Sequence, residues 1–502
     1  MLRNKSGITL ISLIITIIIL VILAGVALNT LVGANGIISN INTSTEKYKK
    51  AQKEEQLALI FESLKMTTTG SEKINVNELQ EKIDKEYGEN IITISDNANN
   101  NLIINVVETG KEYEITNDGE VTATDLIDDT LEENAELRKF ITVWKVEAGE
   151  NITLPLYEKQ DTNEADGEKE TYFNYDFTVD YGDGTIKKVT SYNDENRIHT
   201  YTNAGTYEIS ISGLCEGWSF SKVANNRDNI IGFKQWGVIK SKHIDFSSCA
   251  NLTGNIPIPT TNSFNEIDSL RELFYRCENL TCKIPSNLFK NGSHIATLRN
   301  AFNFCGVTGN IPANLFSNCT NMENLTYIFG GAESITGNIP ENLLKNNTKL
   351  KGEGAIGIFS EMHNISGEIP EGLLENCTEI TSVFRLFDRC EKLTGNIPEK
   401  LLYNCKKVNS VGCMFKECTG LTGSIPENFL TNLTEITRID EMFSGCKNLS
   451  DSSIKIPAII QTNAWHCFEG TTAKFTVYLP KGQAPSILQQ ITSNPNVTVI
   501  EY

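Results

Sequence analysis

The sequence contains no HExxH, GxSxG or GxxxxGK(S/T) motif, and only five histidines, His199, His243, His294, His363 and His466. It has no excess of basic residues. Lys and Arg number 44 against 63 Asp and Glu, a formal charge of −19. Such a chain repels phosphate, so nucleic acid is not an expected partner. Nor is an anionic membrane surface, except through the extreme N-terminus. No cysteine precedes Cys215, the total of 13 is odd, and no CxxC pair occurs. That argues against a small disulfide scaffold and against a structural zinc site. With no catalytic constellation and no ligand cluster, we expect no enzyme activity, no cofactor and no metal.

What is present is a long chain with several compositions in series. Its 502 residues suffice for about three domains, and 40% hydrophobic content excludes overall disorder. Residues 8–28, ITLISLIITIIILVILAGVAL, are 21 residues without a charge. As a helix they span ~31 Å, the thickness of a bilayer's hydrocarbon core. Arg3 and Lys5 precede them and acidic chain follows, which places the N-terminus in the cytoplasm and the bulk outside. Three readings are open at this point: a cleavable signal peptide cut near Ala24 or Ala27, a plain membrane anchor, or a processed and retained helix.

The third reading rests on the junction KSGITLI (5–11). It resembles the type IV prepilin leader, which implies cleavage between Gly7 and Ile8 and a retained helix that packs into a filament. Residues 1–7 would be the leader and 8–65 the long pilin-like helix, since EKYKKAQKEEQLALIFESLK (46–65) continues in helix formers. Ser12 stands where most such pilins carry glutamate, which favours a minor, tip-located or membrane-held protein over a major pilin.

Residues 66–121 carry strand signals in IITI (91–94), LIINVV (102–107) and EYEIT (112–116), with a turn at Asn117, Asp118 and Gly119. They form a small sheet-bearing region, the place of a pilin head. Acidic residues then dominate: 11 against one lysine between Glu108 and Glu136. Residues 122–139 read as a solvated linker. Residues 140–214 read as a β-sandwich, with strands in FITVWKV, YDFTVDYGDG, IHTY and GTYEISISG. YGDGT (181–185) with HTYTNAGTYEISISG (199–213) resembles the PKD domain, an immunoglobulin-like module of surface proteins. Asp180 and Asp183 suit either calcium or a tight turn capped by their own side chains.

From about Trp236 the chain repeats. LTGNIP (252–257) recurs as LTCKIP, VTGNIP, ITGNIP, ISGEIP, LTGNIP and LTGSIP, and a degenerate copy starts at Leu449. The spacings are 28, 27, 28, 30, 28, 28 and 28. Phe246, Phe274, Phe302, Phe329, Phe359, Phe387, Phe415 and Phe443 precede the copies in an F-x-x-C register. A unit this short cannot bury its own apolar face, so the repeats stack into a solenoid of eight rungs, with an L-T-G-x-I strand pointing Leu and Ile inward. The two cysteine columns accept Ala, Met, Asn and Leu as replacements, so they require a small or apolar buried group and the thiols are expected to be free.

MFSGCKNL (442–449) followed by a strand resembles the BspA-like leucine-rich-repeat surface proteins of bacteria. The resemblance implies a solenoid over 215–470 and a C-terminal cap over 471–502. The outward polar column gives the candidate ligand face: Thr253, Asn255, Thr308, Asn310, Thr336, Asn338, Thr394 and Asn396. It carries no aromatics.

The expectation is therefore a multidomain protein: pilin-like transmembrane helix, small α+β region, PKD-like sandwich and leucine-rich-repeat solenoid. It would be displayed outside a bacterial cell, as a single-pass membrane protein or in a surface filament. Its partners would be the membrane through residues 8–28, other pilin-like subunits, and a protein or glycan of a host or neighbouring cell. The alternative is a minor pilin or structural component of a type IV pilus or type II secretion-like filament, without a ligand of its own.

Overall fold

A computed structural model of the chain describes residues 79–80, 92–96, 102–106, 111–115, 121–123, 138–160, 171–259, 263–457, 463–483 and 485–502. The leader with Gly7 and Ile8, the apolar segment 8–28 and the helix expected to residue 65 lie outside them. Among the described residues no helix is long and apolar enough to cross a membrane. The described chain is mostly β and falls into two compact units, divided at Leu126 and Ile127.

The first unit holds an antiparallel meander of β1 (Ile92–Asp96), β2 (Leu102–Val106), β3 (Lys111–Ile115) and β4 (Val121–Ala123), paired in chain order. Ile94 faces Ile104 across the first pair and both are buried. The Ile94 N–H donates to Gln80 Oε1 at 2.7 Å, which ties the preceding segment to the sheet.

The second unit begins with β5 (Phe140–Val146), β6 (Asn151–Thr153), β7 (Lys159–Gln160), β8 (Thr171–Tyr172), β9 (Tyr175–Asp180), β10 (Ile186–Val189), β11 (Ile198–Thr200) and β12 (Gly205–Cys215). The four strands read from the sequence are β5, β9, β11 and β12. Of these, β9, β12 and β5 lie in an antiparallel sheet that with β10 and β14 (Ile230–Gln235) runs in the order β10-β9-β12-β5-β14, whereas β11 pairs with β6 in a separate two-stranded sheet; β14 lies beyond the expected boundary of that region. Period-two burial in β5 and β9 leaves one face apolar. Asp180 and Asp183 accept from the backbone N–H groups of Gly182 and Thr185, so both cap the tight turn. Asp183 also pairs with His199 at 2.7 Å, whose ring stacks on Tyr181 at 4.4 Å.

The chain then changes from antiparallel to parallel pairing. β13 (Gly217–Ser219) pairs in parallel with β15 (His243–Asp245), and Gly232 of β14 bridges to Thr253 of the first repeat. Strand β14 thus closes the sheet while touching the solenoid. Aromatic rings fill the join: Phe140 meets Trp218 at 5.0 Å and Phe233 meets Phe246 at 4.9 Å. One hydrophobic core runs on from Phe140 to Val497.

In the solenoid the phenylalanines stack as a column, ring centroids one rung apart at 5.6 to 6.4 Å. The column has a ninth member, Phe468, 25 residues after Phe443, where the repeat signature is too degenerate to read in sequence. The Leu and Ile of LTGxIP point inward, as expected. The strand itself is shorter than expected: Gly337–Asn338, Ile365–Glu368 and Leu393–Thr394 are its regular stretches. The motif glycines Gly254, Gly309, Gly337, Gly367 and Gly395 all have φ between +76° and +87°, a left-handed conformation that glycine adopts without steric cost.

Inter-rung bonding concentrates instead in the segment around each phenylalanine. Glu272, Phe274 and Arg276 donate N–H to Arg299, Ala301 and Asn303 of the next rung at 2.7 to 2.9 Å. The intervening Leu273, Tyr275 and Cys277 donate back three residues. This alternation needs left-handed residues four apart, such as Glu272 and Arg276, Asn300 and Phe304, or Arg385 and Arg389. A non-glycine residue there costs about 1–3 kcal/mol, and the ladder of inter-rung bonds holds it in place.

All 13 cysteines are buried and free. In part of one column the thiol is also a donor. Cys390, Cys418 and Cys446 each place Sγ 2.9 Å from the carbonyl of the preceding rung's phenylalanine. Burial pushes the thiols up, Cys319 and Cys446 to about 12. A parallel strand set, Ser452–Lys455, Phe475–Leu479 and Val497–Glu501, with the short helix Pro485–Ile491, closes the end of the solenoid.

Candidate functional site

The polar column read from the sequence lies outward. Thr253, Asn255, Asn310, Thr336, Asn338, Thr394 and Asn396 are exposed, and Thr308 is half-buried. The face is a ladder, with each side chain lying against the next rung. A β-carbon added at Gly337 or Gly367 would run into the amide of Asn310 or Asn338. A second ladder lies elsewhere: Asn318, Asn346, Asn376 and Asn404 each donate Nδ2 to a backbone carbonyl one rung back, at 2.8 to 3.0 Å.

A different face carries a cavity of about 250 Å³. It is formed by positions flanking the phenylalanine column, contributed by five successive rungs. Three aromatic rings line it, Tyr275, Phe304 and Tyr327. Gly330 and Gly331 line it, at positions where most other rungs carry larger side chains, and Gly357 lies under the Tyr327 ring. The Phe304 ring occupies the space of a side chain at Gly331, and the Tyr327 ring that of one at Gly357. Both glycines have positive φ, +65° and +57°. Phe304, itself left-handed, leaves 39% of its surface exposed.

The polar lining consists of Asn300, Asn303, Ser360, Glu361 and Arg385. Asn303 donates to the Tyr327 carbonyl at 3.2 Å. The side chains of Asn300, Ser360 and Glu361 make no hydrogen bond to any described residue, although Ser360 is 2% exposed. Arg385 Nε lies 3.7 Å from Asp388 Oδ2, beyond hydrogen-bond reach, and both Arg385 Nε and Asp388 Oδ1 are buried without a partner. Burial pushes the Asp388 carboxyl up, partly offset by Arg385. The site thus combines apolar faces with donors and acceptors left open.

Two other clusters are closed. Cys413, Asp440 and Glu441 lie within 4.8 Å of one another, the spacing of a metal site. Arg438 grips Asp440 through Nε and a terminal nitrogen at 2.6 and 3.0 Å, and Lys416 pairs with Glu441. Burial and the two carboxylates push the Cys413 thiol to about 11, so it is protonated at neutral pH. The donors are already taken by cations of the chain. At the join, Asp245 Oδ2 meets His243 Nε2 at 3.0 Å, and His243 Nδ1 meets Ser269 Oγ at 3.2 Å. This is a Ser–His–Asp chain in outline. The Ser269 hydroxyl is sealed at 2% exposure, and Asp245 is also held by Ser219, Ser221 and the Ser247 N–H. The cluster bolts β13 to β15.

The cavity was not legible in the repeat. Its signal was the departure from it: aromatics at 275, 304 and 327 where neighbouring rungs vary, and glycines at 330, 331 and 357.

Residues 356–456, the rungs of Phe359 to Phe443, match the family described as Mycoplasma protein of unknown function, DUF285. No curated protein matches the chain.

Proposed function

We propose that the chain is a bacterial surface protein that acts by binding, with the side of its solenoid as the contact surface and residues 8–28 as its membrane attachment. The observation that carries this reading is the cavity, where three rings and several unpartnered polar groups converge on a rigid scaffold. The DUF285 match over four rungs fits a repeat surface protein. A PKD-like sandwich would serve as the spacer, and adhesion to a host or neighbouring cell is the corresponding role. Catalysis is no part of this proposal, and the net charge of −19 disfavours nucleic acid. The filament alternative draws on the KSGITLI junction, under which the same head would ride on a minor pilin.

The test is attachment of the full-length protein to intact cells, compared for Phe304→Asn and Thr336→Ala. Asparagine tolerates the left-handed backbone at 304. Loss with Phe304→Asn alone supports the cavity. Loss with Thr336→Ala alone moves the contact to the threonine and asparagine ladder.

A further inference from the structure

We infer that the cavity lined by Tyr275, Phe304, Tyr327, Ser360, Glu361 and Arg385 is a carbohydrate site that takes a neutral pyranose unit; this rests on the binding role proposed above.

The chemistry of the lining selects the class. A pyranose is apolar on the C–H faces of its ring and carries hydroxyls around its edge, each both donor and acceptor. Three aromatic rings supply the apolar contact. Open acceptors on Glu361 and Asn300, and open donors on Ser360 and Arg385, suit the edge. One carboxylate and one guanidinium at the cavity balance in charge, and Asp388 lies beside Arg385. An anionic ligand would gain little from this balance.

The backbone argues against an extended peptide. Strand addition needs free N–H and C=O groups. Here they are spent between rungs: Phe304 N–H on the Gly330 carbonyl, Tyr327 on Ile356 and Gly331 on Ser360, all at 2.8 Å. The volume agrees, because about 250 Å³ lies just below the ~300–1,000 Å³ of sites for drug-sized ligands. The rings are also preorganised. Tyr327 and Phe304 lie over glycines of the following rung, which fixes their faces before a ligand arrives.

Saturation-transfer NMR on the full-length protein, in a detergent without a sugar headgroup, tests this. The probes are glucose, galactose, mannose, fucose, N-acetylglucosamine and N-acetylgalactosamine, each added alone. At least one should show transfer to its ring protons. Phe304→Asn should weaken that sugar at least tenfold, as should the milder Glu361→Gln, which guards against a folding defect in the first variant. Glu341→Gln, at an exposed position outside the cavity, should leave it unchanged. Absence of transfer for all six, or transfer that survives both cavity variants, overturns the inference. Cell attachment separates this from failure of the binding role. Attachment that needs Phe304 but survives periodate oxidation of the cells points to a protein partner, which refutes the sugar and keeps the role. Attachment indifferent to Phe304 refutes the cavity as the contact.

Discussion

Replacing Phe387 by alanine removes a ring that is fully buried in mid-column. Phe359 and Phe415 stack on its two sides at 5.6 and 5.7 Å, with interplanar angles of 4° and 12°. The lost ring contributes on the order of 150 Å² of buried apolar surface, or ~4 kcal/mol at ~25 cal/mol per Å². Collapse cannot recover this, because the backbone holds the rungs apart: Phe359 N–H donates to the Leu386 carbonyl at 3.1 Å and Phe387 N–H to Met414 at 2.9 Å. The expected cost is therefore in the upper part of the ~3–5 kcal/mol range for buried Phe→Ala changes. In a solenoid it falls on one rung and its two interfaces. Guanidinium melts of the full-length protein should show a lowered midpoint and a transition divided into two. Hydrogen exchange should place the break between the rungs of Phe359 and Phe415. Thr394→Ala, on the exposed ladder, should cost less than about 1 kcal/mol. Equal costs for the two changes, or a Phe387→Ala cost below about 2 kcal/mol with a single transition, would refute the assignment of inward and outward faces.

The solenoid should hold without disulfides, so reductant should leave the melting temperature unchanged and native thiols should alkylate slowly; a drop of many degrees would contradict this. Stability should fall on the alkaline side. Burial raises Cys319, Cys377, Cys405 and Cys446 from 9.0 to about 12, so their contribution is intact below pH 9 and is lost as the pH rises towards 12. The slope is about 1.4 kcal/mol per pH unit for each thiol, and a flat profile in denaturant titrations from pH 9 to 12 would refute it. Asn346→Ala removes a rung-to-rung bond of 2.9 Å to the Ser317 carbonyl, and melts should show a loss of about 0.5–1.5 kcal/mol. Mass spectrometry of the mature N-terminus should find Ile8 first, whereas a retained Met1 or a start near Asn29 would reject the prepilin reading.

The sequence alone determined what repeats. A spacing of 28 residues carrying Phe, Leu, Ile and Cys at fixed offsets specifies a stacked core. The inward placement of Phe387, Leu393 and Cys390 was legible because a periodic signal adds up over many copies. The outward threonines followed from the same register, and strands β5 and β9 from period-two alternation. Three things were decided only in the tertiary structure. The phenylalanine segment places left-handed residues four apart, a geometry that sends every second N–H to the next rung, and no residue type at 272, 300 or 385 announces it. The five-stranded antiparallel sheet and the solenoid share one core because β14, past the expected boundary, pairs with β5 and also bridges to Thr253. The cavity exists because Gly331 and Gly357 depart from the repeat just where Phe304 and Tyr327 lean onto them. A periodic reading averages such departures away. Stacking places residues some 28 positions apart side by side, and only then do single exceptions in separate copies become one site.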